Sequence, residues 1–216
     1  MTPDFIAPAP WKLTGDGLVF VAHFPASFVR QNGFLAEYQR GAYKGVMGAV
    51  MLVDYHTSGV GPYRELLFIP GLFKLGGKWG LSISKIYVST YDSVWNGFEN
   101  WGIPKELADF AIVHNADGTR RYRVSANGVN FLDVLVKPWG PRFPVSTKLM
   151  PLFRLLQKKR GEMLLTRPVA SGKGQLVSVK DMSVKSAYFP QIGRIRPLAV
   201  MAVEDFRMTF PVAKRI

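Results

Sequence analysis

The stretch FAIVHNADGTRRYRVSANGVNFLDVLVKP, residues 110–138, decides the fold class. Asp117-Gly118 and Asn127-Gly128 are dipeptides that favour tight turns between adjacent antiparallel strands. The residues around them are rich in β-branched and aromatic types, which pack well on a pleated sheet. The segment therefore predicts a β-hairpin followed by a further strand over VNFLDVLV, residues 129–136.

The same alternation of strands and turns continues on both sides of this segment. Further strand-forming runs are GLVFVAHF (17–24), GVMGAVMLVDY (45–55), GQLVSVKDMSVKSAYF (174–189) and RPLAVMAVEDFRMTFPVA (196–213). Residues 25–42 favour one or two short helices, and Thr147–Arg160 favours a longer one that ends at Gly161. Because helices do not regularly separate the strands, we do not expect a parallel sheet. We expect a mainly antiparallel β fold of the α+β type, a closed or cone-like barrel with two or three short helices, in one domain over residues 1–216.

Composition excludes several classes of protein. The 216 residues are 48% hydrophobic and 20% charged, which excludes a disordered chain. Since there is no cysteine, a disulfide framework, a thiolate zinc site and a cysteine nucleophile are excluded. The three histidines are widely spaced, so no metal site is expected. The N-terminus does not resemble a signal peptide and no apolar run is long enough for a transmembrane segment, so we expect a cytoplasmic location.

The net charge of +13 is concentrated in one part of the chain. Residues 140–196 contain 12 Lys and Arg against 2 Asp and Glu, a net of +10. Such a block is typical of contact with nucleic acid, an anionic membrane surface, an acidic partner or an anionic small molecule, and equally of a solvated surface. Within it, Lys158–Arg160 either complement the dipole of the predicted helix or place that helix on an anionic surface.

The stretch YDSVWNGFENWGIPKELADF, residues 91–110, contains the candidate chemistry. Asn96-Gly97 predicts a turn, and Pro104 stiffens the backbone before Lys105. The bulky apolar neighbours are Phe98, Trp101 and Ile103. Burial among such side chains disfavours a charged ammonium group, and a neutral amine is a nucleophile that forms a Schiff base with a ketone. The alternative is a surface lysine that follows a turn.

Two segments resemble the acetoacetate decarboxylase superfamily. In that family the lysine directly after a proline forms the Schiff base, and the run SVWNGFENWGIPKEL (93–107) is similar to its active-site segment. The matching positions are Gly97, Glu99, Pro104, Lys105 and Leu107. HTSGVGPYRELLFIP (56–70) is similar to the family's T-S-G-x-G-x-Y-x-E motif, where Glu65 takes the position of an active-site carboxylate. The chain is identified as a divergent member.

The resemblance implies a lyase that acts on a small keto acid or ketone through a lysine iminium, without a cofactor or metal ion. The reaction is decarboxylation or related aldol or dehydration chemistry, with Lys105 as nucleophile and Glu65 as proton carrier. The family also implies a homo-oligomer. The residues expected to line the substrate are Tyr63, Phe98, Trp101, Ile103, Val50 and Lys85. Lys85 either points inward, where it repels the Lys105 ammonium, or lies on an edge strand and reaches water.

Three departures from the family pattern leave a second hypothesis open. Glu106 replaces the second lysine of the motif, Phe98 replaces an arginine, and Val50 stands where another active-site glutamate is expected. Because neighbours in an extended segment point to opposite faces, we expect Glu106 to point away from the Lys105 amine. The alternative function is a non-catalytic small-molecule-binding protein that retains the decarboxylase-like barrel and pocket.

Overall fold

A computed structural model describes residues 2–150 and 152–216 of the chain. The helices within these residues are α1 (Ala26–Asn32) and α2 (Tyr91–Trp101), with short 3₁₀ helices at Glu37–Gln39, Thr147–Leu149 and Ile192–Arg194. The strands are β1 (Trp11–His23), β2 (Tyr43–Gly45), β3 (Met47–Thr57), β4 (Tyr63–Ile69), β5 (Leu72–Leu75), β6 (Lys78–Leu81), β7 (Lys85–Val88), β8 (Glu106–Leu107), β9 (Asp109–His114), β10 (Arg120–Ala126), β11 (Val129–Ser146), β12 (Leu155–Lys159), β13 (Glu162–Thr166), β14 (Val169–Val184), β15 (Ala199–Phe210) and β16 (Lys214–Arg215).

The strands form two sheets. A ten-stranded sheet has the order β8-β7-β4-β3-β1-β15-β14-β11-β10-β9, and a six-stranded sheet has the order β16-β13-β12-β6-β5-β2. Neighbouring strands are antiparallel except for the short β7–β8 and β6–β12 pairs. The predicted hairpin and the strand that follows it are confirmed as β9, β10 and β11. The two short α-helices and the prevailing antiparallel pairing confirm the predicted fold class.

The ten-stranded sheet curls into a nearly closed barrel, and the connection between β8 and β9 shows why. These two strands lie at opposite ends of the strand order, yet only Ala108 separates them in the sequence. One residue spans only about 3.5 Å, so the two edges of the sheet must lie side by side. Ala108 also donates its backbone N–H to the carbonyl of Val88 at 3.0 Å, and its side chain is buried in the barrel.

Two hydrophobic cores lie on opposite faces of this sheet. We call the first the barrel core; it fills the inside with aromatic and β-branched side chains such as Phe20, Phe68, Val124, Phe131 and Val134. We call the other the second core; it lies outside the barrel, beneath α2, and includes Trp11, Tyr55, Tyr63, Trp101, Ile103 and Phe206. The candidate active site belongs to the second core, because Tyr63 and Glu65 alternate along β4 with the inward-facing Leu66 and Phe68.

Regular strand pairing is interrupted where Asp16 of β1 passes β15, and we call this part of the sheet the irregular level. Between two regular pairs, Asp16 of β1 lies opposite both Glu204 and Asp205 of β15, and Asp205 has a positive φ of 51°. The pairing of β14 with β15 also shifts its register at the irregular level. One extra residue reverses the alternation of a strand. As a result Val200 and Ala202 face the barrel core, whereas Phe206 and Met208 pack in the second core.

The predicted helix over Thr147–Arg160 is wrong. Its C-terminal half is β12, which pairs with β13 through a turn at Arg160 and Gly161, both with positive φ. Leu155 packs in the second core and Leu156 in a third cluster with Phe73, so this strand is buried on both faces. A continuous apolar run of this kind cannot be distinguished from a helix by its pattern. The prediction also covers Pro151, which lies outside the described residues.

Residues of the basic block pair with carboxylates of the same chain. Arg142 contacts Glu204 at 2.6 Å, and Lys173 contacts Asp205 at 3.3 Å. Lys159 contacts Glu99 at 2.8 Å. Contact of residues 140–196 with an anionic surface stays a prediction. No helix in the described parts of the chain is long and apolar enough to cross a membrane.

Candidate active site

Strand register places Lys105 and Glu65 on the same face of the barrel. Glu65 of β4 pairs with Val88 of β7, and Val88 pairs with Leu107 of β8. Lys105 precedes Leu107 by two residues, and side chains two apart in an extended segment share a face. Lys105 and Glu65 thus meet outside the barrel, under α2.

The Lys105 amine has three hydrogen-bond acceptors. Its Nζ donates to Glu65 Oε2 at 2.9 Å, to Ser93 Oγ at 2.9 Å and to Tyr63 Oη at 3.3 Å. The Lys105 and Glu65 side chains are only 4% and 5% exposed. Removing either partner would leave a buried charge uncompensated, which typically costs about 3–5 kcal/mol. The two side chains therefore form one electrostatic unit.

Two tyrosines complete the surroundings of Glu65. Tyr55 donates to Glu65 Oε1 at 3.2 Å and Tyr63 donates to Glu65 Oε2 at 3.5 Å. Burial, and then the charge of Glu65, raise the pKa of both phenols well above the ordinary value. Both therefore stay protonated and available as donors at neutral pH. Glu65 thus accepts hydrogen bonds from both tyrosines as well as from Lys105.

Helix α2 covers the Lys105 side chain. Ser93 and Gly97 are four residues apart, so they lie on one face of the helix, and both contact the lysine side chain. A Cβ at Gly97 would lie 2.7 Å from Lys105 Cε and 2.9 Å from Cδ. Glycine at this position leaves the space through which the lysine methylenes pass. Glycine therefore fits at this helical position, although alanine is the better helix former.

The predicted turn at Asn96-Gly97 is wrong, because both residues lie inside α2. The helix begins after Thr90, whose side chain accepts from the Ser93 N–H. It ends at Gly102, which has a left-handed φ of 67° and packs against the backbone of Lys158. A glycine cap of this kind is common at helix C-termini.

An extended N-terminal segment, residues 4–9, lies along α2. It is held by Asp92, Asn96 and Asn100, which are spaced by four residues on one helix face. Four helical residues rise about 6 Å and two strand residues about 6.6 Å, so the repeats of the helix and the segment match. Each asparagine side chain makes two hydrogen bonds with the backbone of the segment. Asn96 Oδ1 accepts from Ala7 N at 2.8 Å and Asn96 Nδ2 donates to Phe5 O at 2.7 Å. Asn100 Oδ1 accepts from Ala9 N at 3.0 Å and Asn100 Nδ2 donates to Ala7 O at 2.8 Å.

The remaining residues predicted to line the substrate are divided between the two faces of the sheet. Trp101 and Ile103 pack in the second core, as Tyr63 does. Val50 is fully buried in the barrel core, and Lys85 lies on the same inner face as its neighbour Phe68. Val50 and Lys85 are thus separated from Lys105 by the sheet.

Lys85 interacts with Glu106 instead of Lys105. Its Nζ lies 2.6 Å from Glu106 Oε1 and 4.7 Å from the ring centre of Tyr87. Like-charge repulsion between Lys85 and Lys105 is therefore not a feature of the site. The ring of Phe98 lies 5.7 Å from the guanidinium of Arg160, on the outer part of α2.

A cleft of about 830 Å³ lies at the irregular level of the sheet. Its lining residues are Thr14, Gly15, His56, Pro144, Val145, Ser146, Ser171, Gly172, Lys173, Asp205, Phe206 and Arg207. Lys105 and Glu65 are not among them. Phe206 separates the cleft from the site: its ring centre lies 5.7 Å from that of Tyr55, the donor to Glu65.

Ser93 and Tyr55 contact the site but belong to neither set of residues that the sequence motifs indicated. Ser93 is four residues before Gly97, a signal that is recognisable only if the segment is taken as a helix. Tyr55 pairs directly with Tyr63 across β3 and β4, and their ring centres are 4.6 Å apart. That contact depends on strand register, which the sequence motif does not contain.

Comparison with known proteins gives one family match. Residues 44–180 match the sequence profile of the acetoacetate decarboxylase (ADC) family. No curated protein matches the sequence significantly.

Solved structures share the fold at low sequence identity. Acetoacetate decarboxylase from Legionella pneumophila has a TM-score of 0.73 at 12% identity, over 100% of this chain and 91% of that chain. The enduracididine biosynthesis enzyme MppR, complexed with the condensation product of pyruvate and imidazole 4-carboxaldehyde, has a TM-score of 0.66 at 13% identity, over 97% and 90%. An acetoacetate decarboxylase-like enzyme from Sphingomonas wittichii has a TM-score of 0.66 at 12% identity, over 100% and 98%.

The profile match covers well over half of the 216 residues and includes both Glu65 and Lys105. The solved structures of similar fold extend the likeness to nearly the whole length of the chain. The chain belongs to the acetoacetate decarboxylase family.

Proposed function

We propose that the protein is a lyase that forms a Schiff base between Lys105 and a small keto acid or ketone. The observation that carries the proposal is the contact of 2.9 Å between Lys105 Nζ and Glu65 Oε2, both almost fully buried. A proton that moves along this hydrogen bond converts an ion pair into a neutral amine and a neutral carboxylic acid. The neutral amine is the form that attacks a carbonyl carbon, and neutral groups in general lose less by leaving water than charged ones.

The proposed reaction proceeds from that neutral pair. The Lys105 amine attacks the carbonyl carbon, and the oxygen leaves as water with a proton supplied by Glu65. The resulting iminium withdraws electrons from the bond one carbon away. If that bond joins a carboxylate, CO2 departs and an enamine remains, whereas loss of a C–H proton allows aldol addition or dehydration. Glu65 returns the proton in the later steps, a role that typically contributes about 10²–10⁴ in rate.

The choice between these reactions is open in the proposal. Family membership supports decarboxylation. The structure of MppR with a condensation product of pyruvate supports aldol-type chemistry on this fold. Glu106, Phe98 and Val50 differ from the decarboxylase motif at three positions. We therefore propose a short keto acid as substrate, whose iminium allows either outcome.

Borohydride trapping tests the Schiff base. The protein is incubated with pyruvate or acetoacetate, reduced, digested and analysed by mass spectrometry. We expect an adduct on Lys105, none in Lys105→Met, and slower formation in Glu65→Gln. Lys85 is an internal control, because it too is a largely buried lysine beside a carboxylate, but it lies on the other face of the sheet.

The alternative function is binding of a small molecule without catalysis. It is favoured by one observation, namely that the three hydrogen bonds of Lys105 occupy all the donors of its ammonium group. If pyruvate and acetoacetate protect the protein thermally but leave Lys105 unmodified after reduction, the binding function is correct and the lyase proposal is wrong.

A further inference from the structure

Ser93 differs from the other two acceptors of the Lys105 amine. Glu65 receives hydrogen bonds from Tyr55 and Tyr63 as well as from the lysine, and Tyr63 is itself a donor to Glu65. Ser93 Oγ lies 2.9 Å from Lys105 Nζ, on the opposite side of the amine from the sheet. The residue is 0% exposed. A hydroxyl has one proton to donate and two lone pairs to accept, so it can do both at once.

The position of Ser93 is set by the helix and not by its own side chain. Its backbone N–H is bound by the Thr90 side chain at the start of α2, so the hydroxyl is not needed as a cap. Burial is the main cause that raises the pKa of Tyr63, and the nearby Ser93 side chain opposes that rise in part. The hydroxyl accepts a hydrogen bond from Lys105 at 2.9 Å. The hydrogen bond from Lys105 uses a lone pair of the Ser93 hydroxyl, so the hydroxyl proton is still available for transfer.

Formation of a Schiff base contains a step for which such a group is needed. When a neutral amine attacks a carbonyl, the N–C bond forms and the π electrons move to oxygen, giving a positive nitrogen and a negative oxygen. A proton must then move from this nitrogen to this oxygen. Direct transfer passes through a small strained ring, whereas a hydroxyl between the two atoms relays the proton without strain.

We propose that Ser93 is a further catalytic residue that relays this proton, an inference that rests on the proposed Schiff-base function. Ser93 Oγ accepts the proton from Lys105 Nζ and gives its own to the substrate oxygen, so the serine ends unchanged. Glu65 then protonates the resulting hydroxyl, the C–O bond breaks, water leaves, and the nitrogen lone pair forms the iminium. Glu65 ends as a carboxylate.

The test is the rate of iminium formation in single-turnover trapping with pyruvate and borohydride. Ser93→Ala is expected to slow this rate by about 10²-fold, the lower end of what a proton-transfer group contributes. Ser93→Thr keeps a hydroxyl and is expected to recover most of the rate. The solvent deuterium isotope effect on the same step is expected to change in the alanine variant, which a purely structural role would not cause.

Ser84 provides a matched control, because it is a buried serine whose Oγ has no hydrogen-bond partner among the described residues. Ser84→Ala is expected to trap pyruvate at the wild-type rate. If Ser93→Ala forms the adduct at the wild-type rate with an unchanged isotope effect, the relay is wrong while the Schiff base stands. If the wild type forms no adduct on Lys105, the proposed function fails first.

Discussion

At the scale of single residues, the site consists of a lysine in a narrow space. The Lys105 methylenes pass Gly97, and the amine ends among Glu65, Ser93 and Tyr63. Each neighbour constrains the amine in a different direction. Small errors in such positioning are costly, since displacement of a reacting atom by about 1 Å can reduce a rate by about 10²-fold.

Gly97→Ala tests this constraint. In an ordinary helix the change stabilises by about 0.5–1 kcal/mol, but here the new methyl would lie 2.7 Å from Lys105 Cε. We expect a loss of stability of about 1–3 kcal/mol and adduct formation about 10²-fold slower. In a Lys105→Ala background the same change is expected to raise the melting temperature, because the obstructing side chain is absent. Destabilisation in both backgrounds would contradict the explanation.

At the scale of elements, α2 is held from two sides. The N-terminal segment lies along one face, bound by Asn96 and Asn100. On another side of the helix, near its C-terminal end, Glu99 contacts Lys159 and Arg160, which belong to the β12–β13 hairpin. Because α2 carries Ser93 and Gly97, these two attachments determine how closely the helix covers Lys105.

Hydrogen exchange can resolve the attachment of the N-terminal segment amide by amide. Asn96→Ala removes the acceptor of the Ala7 N–H, and Asn100→Ala removes that of the Ala9 N–H. We expect each variant to accelerate exchange first at its own amide. The buried Asn96 is expected to contribute about 2 kcal/mol to stability, since its loss leaves backbone groups unpaired. Equal acceleration at both amides in both variants would argue against residue-by-residue pairing.

The attachment through Glu99 depends on pH. The hydrogen bond from Lys159 is the main cause that lowers the pKa of Glu99. A carboxyl group whose pKa is lower in the folded state contributes fully to the stability of that state at pH values above its unfolded-state pKa of ~4.3. This contribution is lost as the pH falls through the folded-state pKa. Glu99→Gln is therefore expected to cost on the order of 1 kcal/mol at pH 7 and to cost little in acid.

Urea denaturation at a series of pH values measures this difference. Glu162→Gln is the matched control, because Glu162 pairs with Arg215 at 3.1 Å where both side chains are more than half exposed. We expect the control to change stability by less than Glu99→Gln at pH 7. A pH-independent effect of Glu99→Gln would show that packing, and not charge, makes the attachment.

At the scale of the whole molecule, the irregular level of the sheet allows a single strand to contribute to both cores. The extra residue in β15 reverses which side chains face inward, so one strand contributes to the barrel core and then to the second core. Gly15 of β1 lies at this level, where the backbone of β3 comes close: a Cβ at Gly15 would lie 2.1 Å from the Asp54 carbonyl oxygen.

Two glycines of the same strand provide a matched comparison. Gly15→Ala is expected to destabilise by about 3 kcal/mol, because the obstructing atom is backbone and cannot rotate away. Gly17→Ala places its Cβ 3.4 Å from the Leu52 oxygen, an ordinary contact, and is expected to change stability by less than about 1 kcal/mol. Thermal denaturation of both variants measures the difference. Similar melting temperatures would contradict a close approach at Gly15.

The sequence by itself determined the local features of this protein. Asp117-Gly118 and Asn127-Gly128 predict their turns because turn geometry depends on a few adjacent residues. The two short motifs likewise located Lys105 and Glu65. Tertiary structure decided the rest. Gly97 lies in a helix, where the absence of a side chain leaves room for Lys105, and Leu155 and Leu156 lie in a strand that is buried on both faces. The 2.9 Å contact between Lys105 and Glu65 results from strand register, which long-range pairing sets and residues near in sequence do not.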